Sequence, residues 1–259
     1  MKATFVKYSG NGNDFLIFDE SVVPQLSPEK IIRICDRHFG VGADGILILG
    51  SGEGLDGTMR IFNSDGGEAE MCGNGLRCLA TYIDDISGIK KPTYLIRTMN
   101  NTYAVENQNG RFAILMSEIK DVNGADLSAF NDFEKKFFVN TGVPHLVFLA
   151  KDVKAIDIKA TAPKYRHHSV FPRGTNVSFV GLLPDDQSAY VRTFERGVED
   201  ETFSCGTGLT ATGLALSHWF GWKGDINLFT LGGKQNVNVD KYVFYSGEVT
   251  RCFTGEIEL

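Results

Sequence analysis

The sequence predicts an α+β protein built as two similar halves, each with many short strands and one prominent helix. Three observations carry this. A small cassette, a cysteine followed by two spaced glycines, occurs twice, within "MCGNGLRC" at 71–78 and "SCGTGL" at 204–209. Each copy follows a strand ending in phenylalanine and a polar residue, Phe62-Asn63 and Phe194-Glu195, and each opens a helix-like stretch. Most of the remaining chain consists of short β-rich runs bounded by Gly, Asn, Asp and Pro.

From the amino end, the runs "ATFVKYS", "FLIFD", "GILILG", "TMRIFN", "TYLIRT", "RFAILM", "FFVN", "HLVFLA", "TNVSFV", "AYVRTFE", "INLFTL" and "YVFYSGEV" read as strands. Three stretches read as helices. The first starts after Ser27, with Pro28 at the first helical position and Glu29 in the first turn, and runs to about His38. Ile31, Ile32 and Cys35 form its expected apolar face. The second runs from about Asn74 to Ile86 and stops at Gly88; the third runs from about Thr207 to Phe220 and stops at Gly221. "SGEGLDG" at 51–57 lacks the Lys-Ser/Thr ending of a phosphate loop and reads as a hairpin turn. The basic "KYRHH" at 164–168 reads as a solvated loop.

The cassettes lie about half the chain apart, and the loops "FNSDGGEAEMCGNGL" and "FERGVEDETFSCGTGL" differ in length by one residue. An internal duplication accounts for both facts. Apolar content drops at "EIKDVNGADLS", 118–128, and the final "EVTRCFTGEIEL" is expected to return to the first half. The predicted domains are therefore residues 1–117 plus 249–259 and residues 118–248.

Composition narrows the function. A net charge of −6 and an ordinary 42% hydrophobic content argue against a nucleic-acid or anionic-membrane partner, which needs a basic face. "MKATFVKYSGNGNDF" has no apolar leader and no run approaches the roughly 18 apolar residues of a span, so a cytoplasmic protein is expected. The cysteines, 35, 72, 78, 205 and 252, are odd in number and lack CxxC spacing, so reduced thiols are the expectation. Cys35, Cys78 and Cys252 read as small buried hydrophobes. A zinc site would want four closely spaced Cys/His ligands, and none is expected.

Cys72 and Cys205 differ from the others by context. A strand, a turn and Cys-Gly-x-Gly at a helix start put unpaired N–H groups and the positive end of the helix dipole beside the sulfur. Such a setting binds anions and favours thiolate. Glycines 73, 75, 206 and 208 let a ligand approach the backbone. Two such cassettes could hold one carboxylate with a sulfur on each side. Taking an α-proton from one face of an amino acid and returning one to the other needs a base and an acid, which a thiolate and a thiol supply.

These residues resemble a known family. "NSDGGEAEMCGNGLR" (63–77), "ERGVEDETFSCGTG" (195–208) and "YSGNGNDF" (8–15) are similar to diaminopimelate epimerases, and the resemblance extends across essentially the whole chain. It implies two pseudo-symmetric domains, each a β-sheet wrapped around a central helix, with the substrate site between them. It also implies epimerisation of LL- to meso-diaminopimelate by two cysteines, without pyridoxal phosphate, metal or other cofactor, in lysine and peptidoglycan precursor synthesis. By resemblance Cys72 and Cys205 are the acid/base pair, and Gly73, Asn74, Gly206 and Thr207 offer amides to the reacting carboxylate. Glu195 and Arg196 would bind amine and carboxylates, Asn11, Asn63 and Asn176 would hold the substrate, and His145 would sit near the thiols. Asp44, in "GADG", stands where the family often has glutamine, and is carried over as a substrate-site position. Gly67 replaces a common serine, and Val143-Pro144-His145 stands where Asn-Pro-His is common, removing an amide from the distal end of the substrate.

The expected partner is a small diamino-dicarboxylate, with a homodimer left open. Proline racemase and hydroxyproline epimerase share the two-cysteine logic, but their first cassette commonly carries His where this one carries Asn74. A cysteine hydrolase would leave the second cassette unexplained. A non-catalytic amino-acid-binding protein would leave both thiols unexplained.

Overall fold

The computed structural model describes residues 2–23, 25–117 and 119–259. In chain order its elements are β1 (Lys2–Gly10), β2 (Asn13–Asp19), α1 (Pro28–Cys35), β3 (Gly45–Gly50), β4 (Gly57–Asn63), β5 (Glu68–Ala69), α2 (Gly73–Ser87), β6 (Thr93–Arg97), β7 (Thr102–Gln108) and β8 (Arg111–Leu115). There follow β9 (Ile119–Lys120), β10 (Lys136–Thr141), β11 (Pro144–Leu149), α3 (Ile158–Thr161), α4 (Pro163–Arg166), β12 (Asn176–Leu182), β13 (Ser188–Glu195) and β14 (Asp200–Thr202). The chain ends with α5 (Gly206–Phe220), β15 (Gly224–Thr230), β16 (Gly233–Val239), β17 (Val243–Gly247) and β18 (Val249–Glu258). Two compact units result, Met1–Leu115 with Ser246–Leu259, and Met116–Tyr245. Glu118, where the sequence-predicted second half begins, lies outside the described residues.

In the first unit β18 pairs antiparallel with β1, β1 antiparallel with β2, β2 parallel with β3, β3 antiparallel with β4, β4 parallel with β6, and β6 antiparallel with β7. In the second, β9/β10, β10/β11, β11/β12, β12/β13, β13/β15 and β15/β16 run antiparallel, antiparallel, parallel, antiparallel, parallel, antiparallel. The two pairing orders are the same. The duplicated cassette is thus one visible piece of a duplicated topology.

Each sheet wraps its own helix. α2 contacts β1, β2, β3, β4, β6, β7, β8 and β18, and α5 contacts β10, β11, β12, β13, β15 and β16. A helix so enclosed must be apolar or small-sided nearly all round. In α5 the buried set Gly208, Leu209, Thr210, Ala211, Thr212, Gly213, Ala215 and Leu216 meets that demand. A methyl group on Gly213 would come within 2.7 Å of Val237, so the helix sits as close to β16 as a glycine allows. In α2 the fully buried Leu76 and Leu79 each contribute about 1.5–3 kcal/mol of apolar burial. Both helices end on left-handed glycines, Gly88 (φ 62°) and Gly221 (φ 71°), as the sequence predicts.

Outside these helices, α1 packs on the first sheet over a core that includes Phe5, Leu16, Phe18, Ile46, Ile48 and Phe62. The second unit has an aromatic core, with Phe130, Phe138, Phe148, Tyr165, Phe171 and Phe179 packed together. Ser27 Oγ accepts from the Lys30 amide and caps α1, which stops at Cys35 because the Asp36 carboxylate takes the His38 and Phe39 amides instead. The buried face of α1 is Ile31, Ile34 and Cys35; Ile32, expected there, is 48% exposed.

Other expectations need correction. The polar runs of β7 and β16 are strands, since Tyr103, Val105, Gln235 and Val237 turn inward. "KYRHH" is not a free loop. Tyr165 is buried and Arg166 binds Glu199, with Nη2 2.6 Å from Oε1. Cys252 is exposed on β18, whereas Cys35 and Cys78 are buried as expected. No helix among the described residues is long and apolar enough to cross a membrane.

Candidate active site

Each cassette places its cysteine at the N-cap of the enclosed helix. Cys72 (φ −143°, ψ 120°) and Cys205 (φ −117°, ψ 103°) are extended, and the next residues turn directly into α2 and α5. Their carbonyls accept the first helical bonds, from Leu76 and Leu209. The amides of Gly73, Asn74 and Gly75, and of Gly206, Thr207 and Gly208, therefore have no partner one turn back along the helix. Gly206 is required by packing as well, since a Cβ there would stand 2.7 Å from the Tyr245 ring. Both sulfurs thus sit at electropositive helix ends.

Around Cys72 the groups form a chain of hydrogen bonds. The Gly75 amide donates to Sγ at 3.5 Å, and the thiol donates to Asn13 Oδ1 at 3.6 Å. Asn74 Nδ2 reaches the same oxygen at 3.3 Å, and Arg77 Nη2 donates to Asn74 Oδ1 at 2.7 Å. Arg77, fully buried, also donates from Nη1 to Asn11 Oδ1 and to the Glu248 carbonyl, both at 3.1 Å. Asn11 heads the β1–β2 turn with a left-handed φ of 53°. Asn13 Nδ2 donates to Asp44 Oδ2 at 3.0 Å, and Asp44 is bound further by the Asp14 amide and by Arg37. Asn63 closes β4 opposite Gly45, next to the Asp44 loop, with its side chain exposed.

Around Cys205 the set is different. Thr207 Oγ1 lies 3.5 Å from Sγ and 2.9 Å from Nε2 of His145. His145 is fully buried, opposite Asn176 in the parallel β11–β12 pair, and its Nδ1 has no partner among the described residues. Burial, with a smaller push from nearby Arg196, lowers its pKa to about 3, so the imidazole is neutral. Asn176 Nδ2 donates to the Pro144 carbonyl, and its Oδ1 accepts from the Arg196 amide at 2.8 Å. Burial raises the pKa of Glu195, and hydrogen bonds with Thr202 and, less strongly, with the Cys205 thiol partly oppose that rise. Among the described residues no three His, Cys, Asp or Glu side chains are grouped to hold a metal.

A family model described as diaminopimelate epimerase matches residues 5–124 and 137–252. The chain belongs to the diaminopimelate epimerase family. It is 37% identical to diaminopimelate epimerase 1 of a Nostoc species over 99% of this chain and 100% of that one. It is also 37% identical to the diaminopimelate epimerase of Methanocella arvoryzae over 100% and 98%. Among solved structures, a phenazine biosynthesis protein of the PhzF family from Bacillus anthracis shares the fold at 16% identity, with a TM-score of 0.74 and full coverage of both chains. A hydroxyproline epimerase from Agrobacterium vitis shares it at 13% identity and a TM-score of 0.64, covering 99% and 92%.

In this diaminopimelate epimerase family member the first unit brings Cys72, Gly73, Asn74, Asn11 and Asp44 around one helix end. The second brings Cys205, Gly206, Thr207, His145, Asn176, Glu195 and Arg196 around the other. Sequence reasoning missed Asn13 and Arg77, although both lie inside the quoted motifs "YSGNGNDF" and "MCGNGLR". An arginine in an otherwise small and apolar helix face was the available signal for Arg77.

Proposed function

We propose that the chain epimerises LL-diaminopimelate to meso-diaminopimelate, with Cys72 and Cys205 as the acid/base pair. The observation that carries this reading is the placement of a cysteine at the N-cap of each enclosed helix, beside the first-turn amides. One sulfur takes the α-proton while the other returns a proton to the opposite face, so the configuration inverts. The charge that develops on the α-carbon spreads into the substrate carboxylate. Amides of Gly73, Asn74, Gly206 and Thr207 stabilise it there, each such donor contributing about 10²–10³ in rate. The reading requires no electron-sink cofactor.

Glu195 has two tasks here. It orients the Cys205 thiol and, with Arg196, faces the amine and carboxylates of the substrate. Asn11, Asn63 and Asn176 border the bound molecule, and His145 positions Thr207. Val143 offers no amide to the distal end of the substrate, so recognition there falls to Arg196 and the asparagines. A proline-type racemase is disfavoured by Asn74, whose amide is committed to Asn13 and Arg77. Such a reaction would supply lysine and peptidoglycan precursor synthesis.

The test is incubation with LL-diaminopimelate in deuterated water under reducing conditions. The reading expects α-deuterium in a product of inverted configuration. No exchange with folded, reduced protein would refute it.

A further inference from the structure

The amide of Asn13 is locked in one orientation by the groups at the two ends of its hydrogen-bond chain. Arg77 at one end can only donate, so the Asn74 face toward it is the carbonyl oxygen and the Asn74 NH2 must point to Asn13. Asp44 at the other end, bound by the Asp14 amide at 3.0 Å and by Arg37 at 2.8 Å, can only accept. It therefore takes the Asn13 NH2. Both constraints leave the Asn13 oxygen facing Cys72 Sγ, where it welcomes a thiol proton and repels a thiolate.

We propose that Asn13, locked by Asp44, is a positioning residue that holds Cys72 as a thiol against the pull of its helix terminus. This rests on the reading of Cys72 as an acid/base group and assigns its resting state. It also gives Asp44 a role through Asn13 rather than through a substrate contact, since both of its oxygens are engaged. Ionisable groups linked to this hydrogen-bond chain among the described residues include Arg77 and Cys78 on the helix that Cys72 caps, the latter acted on by Cys72, Cys252 and Asp14, with Lys7 and Arg37 paired to Asp14. Arg37 pairs with Asp44, and Lys7 and Arg37 pair with Asp14, so the bare carboxylate charges are largely matched. What reaches the sulfur from Asp44 is the orientation of the intervening amide.

The experiment is peptide-resolved alkylation of Cys72 by iodoacetamide across pH, since only the thiolate reacts. Asp44→Asn replaces a group that can only accept by an amide whose NH2 can face Asn13, which removes one of the two constraints on the Asn13 amide and lets its NH2 turn toward the sulfur. The midpoint for Cys72 should fall by about one pH unit, giving roughly tenfold faster alkylation near pH 7. In an Asn13→Ala background the same Asp44→Asn change should shift nothing further. Asn13→Ser replaces Asn13→Ala if the latter does not fold. An unshifted midpoint in Asp44→Asn, or an equal shift with and without Asn13, overturns the proposal. Because alkylation needs no substrate, its outcome is separable from that of the deuterium test.

Discussion

Thr207 stands between His145 and Cys205, its hydroxyl 2.9 Å from the imidazole Nε2 and 3.5 Å from the sulfur. A neutral, fully buried ring thus fixes the rotamer of the hydroxyl nearest the thiol. Thr207→Val keeps the shape and the backbone amide but leaves buried polar atoms unsatisfied, at a cost of about 1–3 kcal/mol. Steady-state kinetics should show kcat lower by roughly 5- to 100-fold, with Thr207→Ser restoring most of it. Activity retained in Thr207→Val but lost in Thr207→Ser would mean that the methyl group, not the hydroxyl, matters.

Glu195 couples activity to stability. Its pKa is raised, so the folded state holds the proton to higher pH than the unfolded chain does. Its favourable contribution is present at low pH and is lost as pH rises through the folded pKa. Glu195→Gln should therefore melt above the parent at pH 7 and close to it at pH 4. Turnover should fall by about 10²–10⁴, the range for a group assisting proton transfer. A lower melting temperature at pH 7 would contradict the assignment of burial as the dominant cause.

Asp14 behaves oppositely. Burial pushes its carboxyl up, but hydrogen bonds and charge from Arg37 and Lys7 outweigh this and set it at about 2. Such a group stabilises the fold above its unfolded pKa, and the contribution disappears as pH falls toward 2. Asp14→Asn should cost about 2 kcal/mol at pH 7 in chemical unfolding, with the gap closing near pH 2. A gap of constant size would point to lost packing instead of lost pairing.

The parts of this molecule legible in the sequence are those with local chemistry. Pro28 after Ser27, and Gly88 and Gly221 after their helices, mark boundaries because capping is decided within a few residues. The cassettes exposed the duplication for the same reason. The polar strands β7 and β16 were invisible because their inward residues are decided by partners far along the chain, as with Gln235 against Ser204 and Tyr245. Ile32 and Ile34 both fit a helical face, and only packing on the sheet chooses Ile34. Asn13 and Arg77 escaped notice because their significance is a chain of four side chains from separate segments, and Asp44 acquires its meaning only at the end of that chain.

The most direct measurement of the two-thiol account is stereoisomer-resolved turnover of Cys72→Ala and Cys205→Ala, each confirmed folded by its melting curve. The account predicts that each variant alone loses inversion by at least two to four orders of magnitude, because each lacks the proton carrier for one face. Full inversion retained by either variant would contradict it.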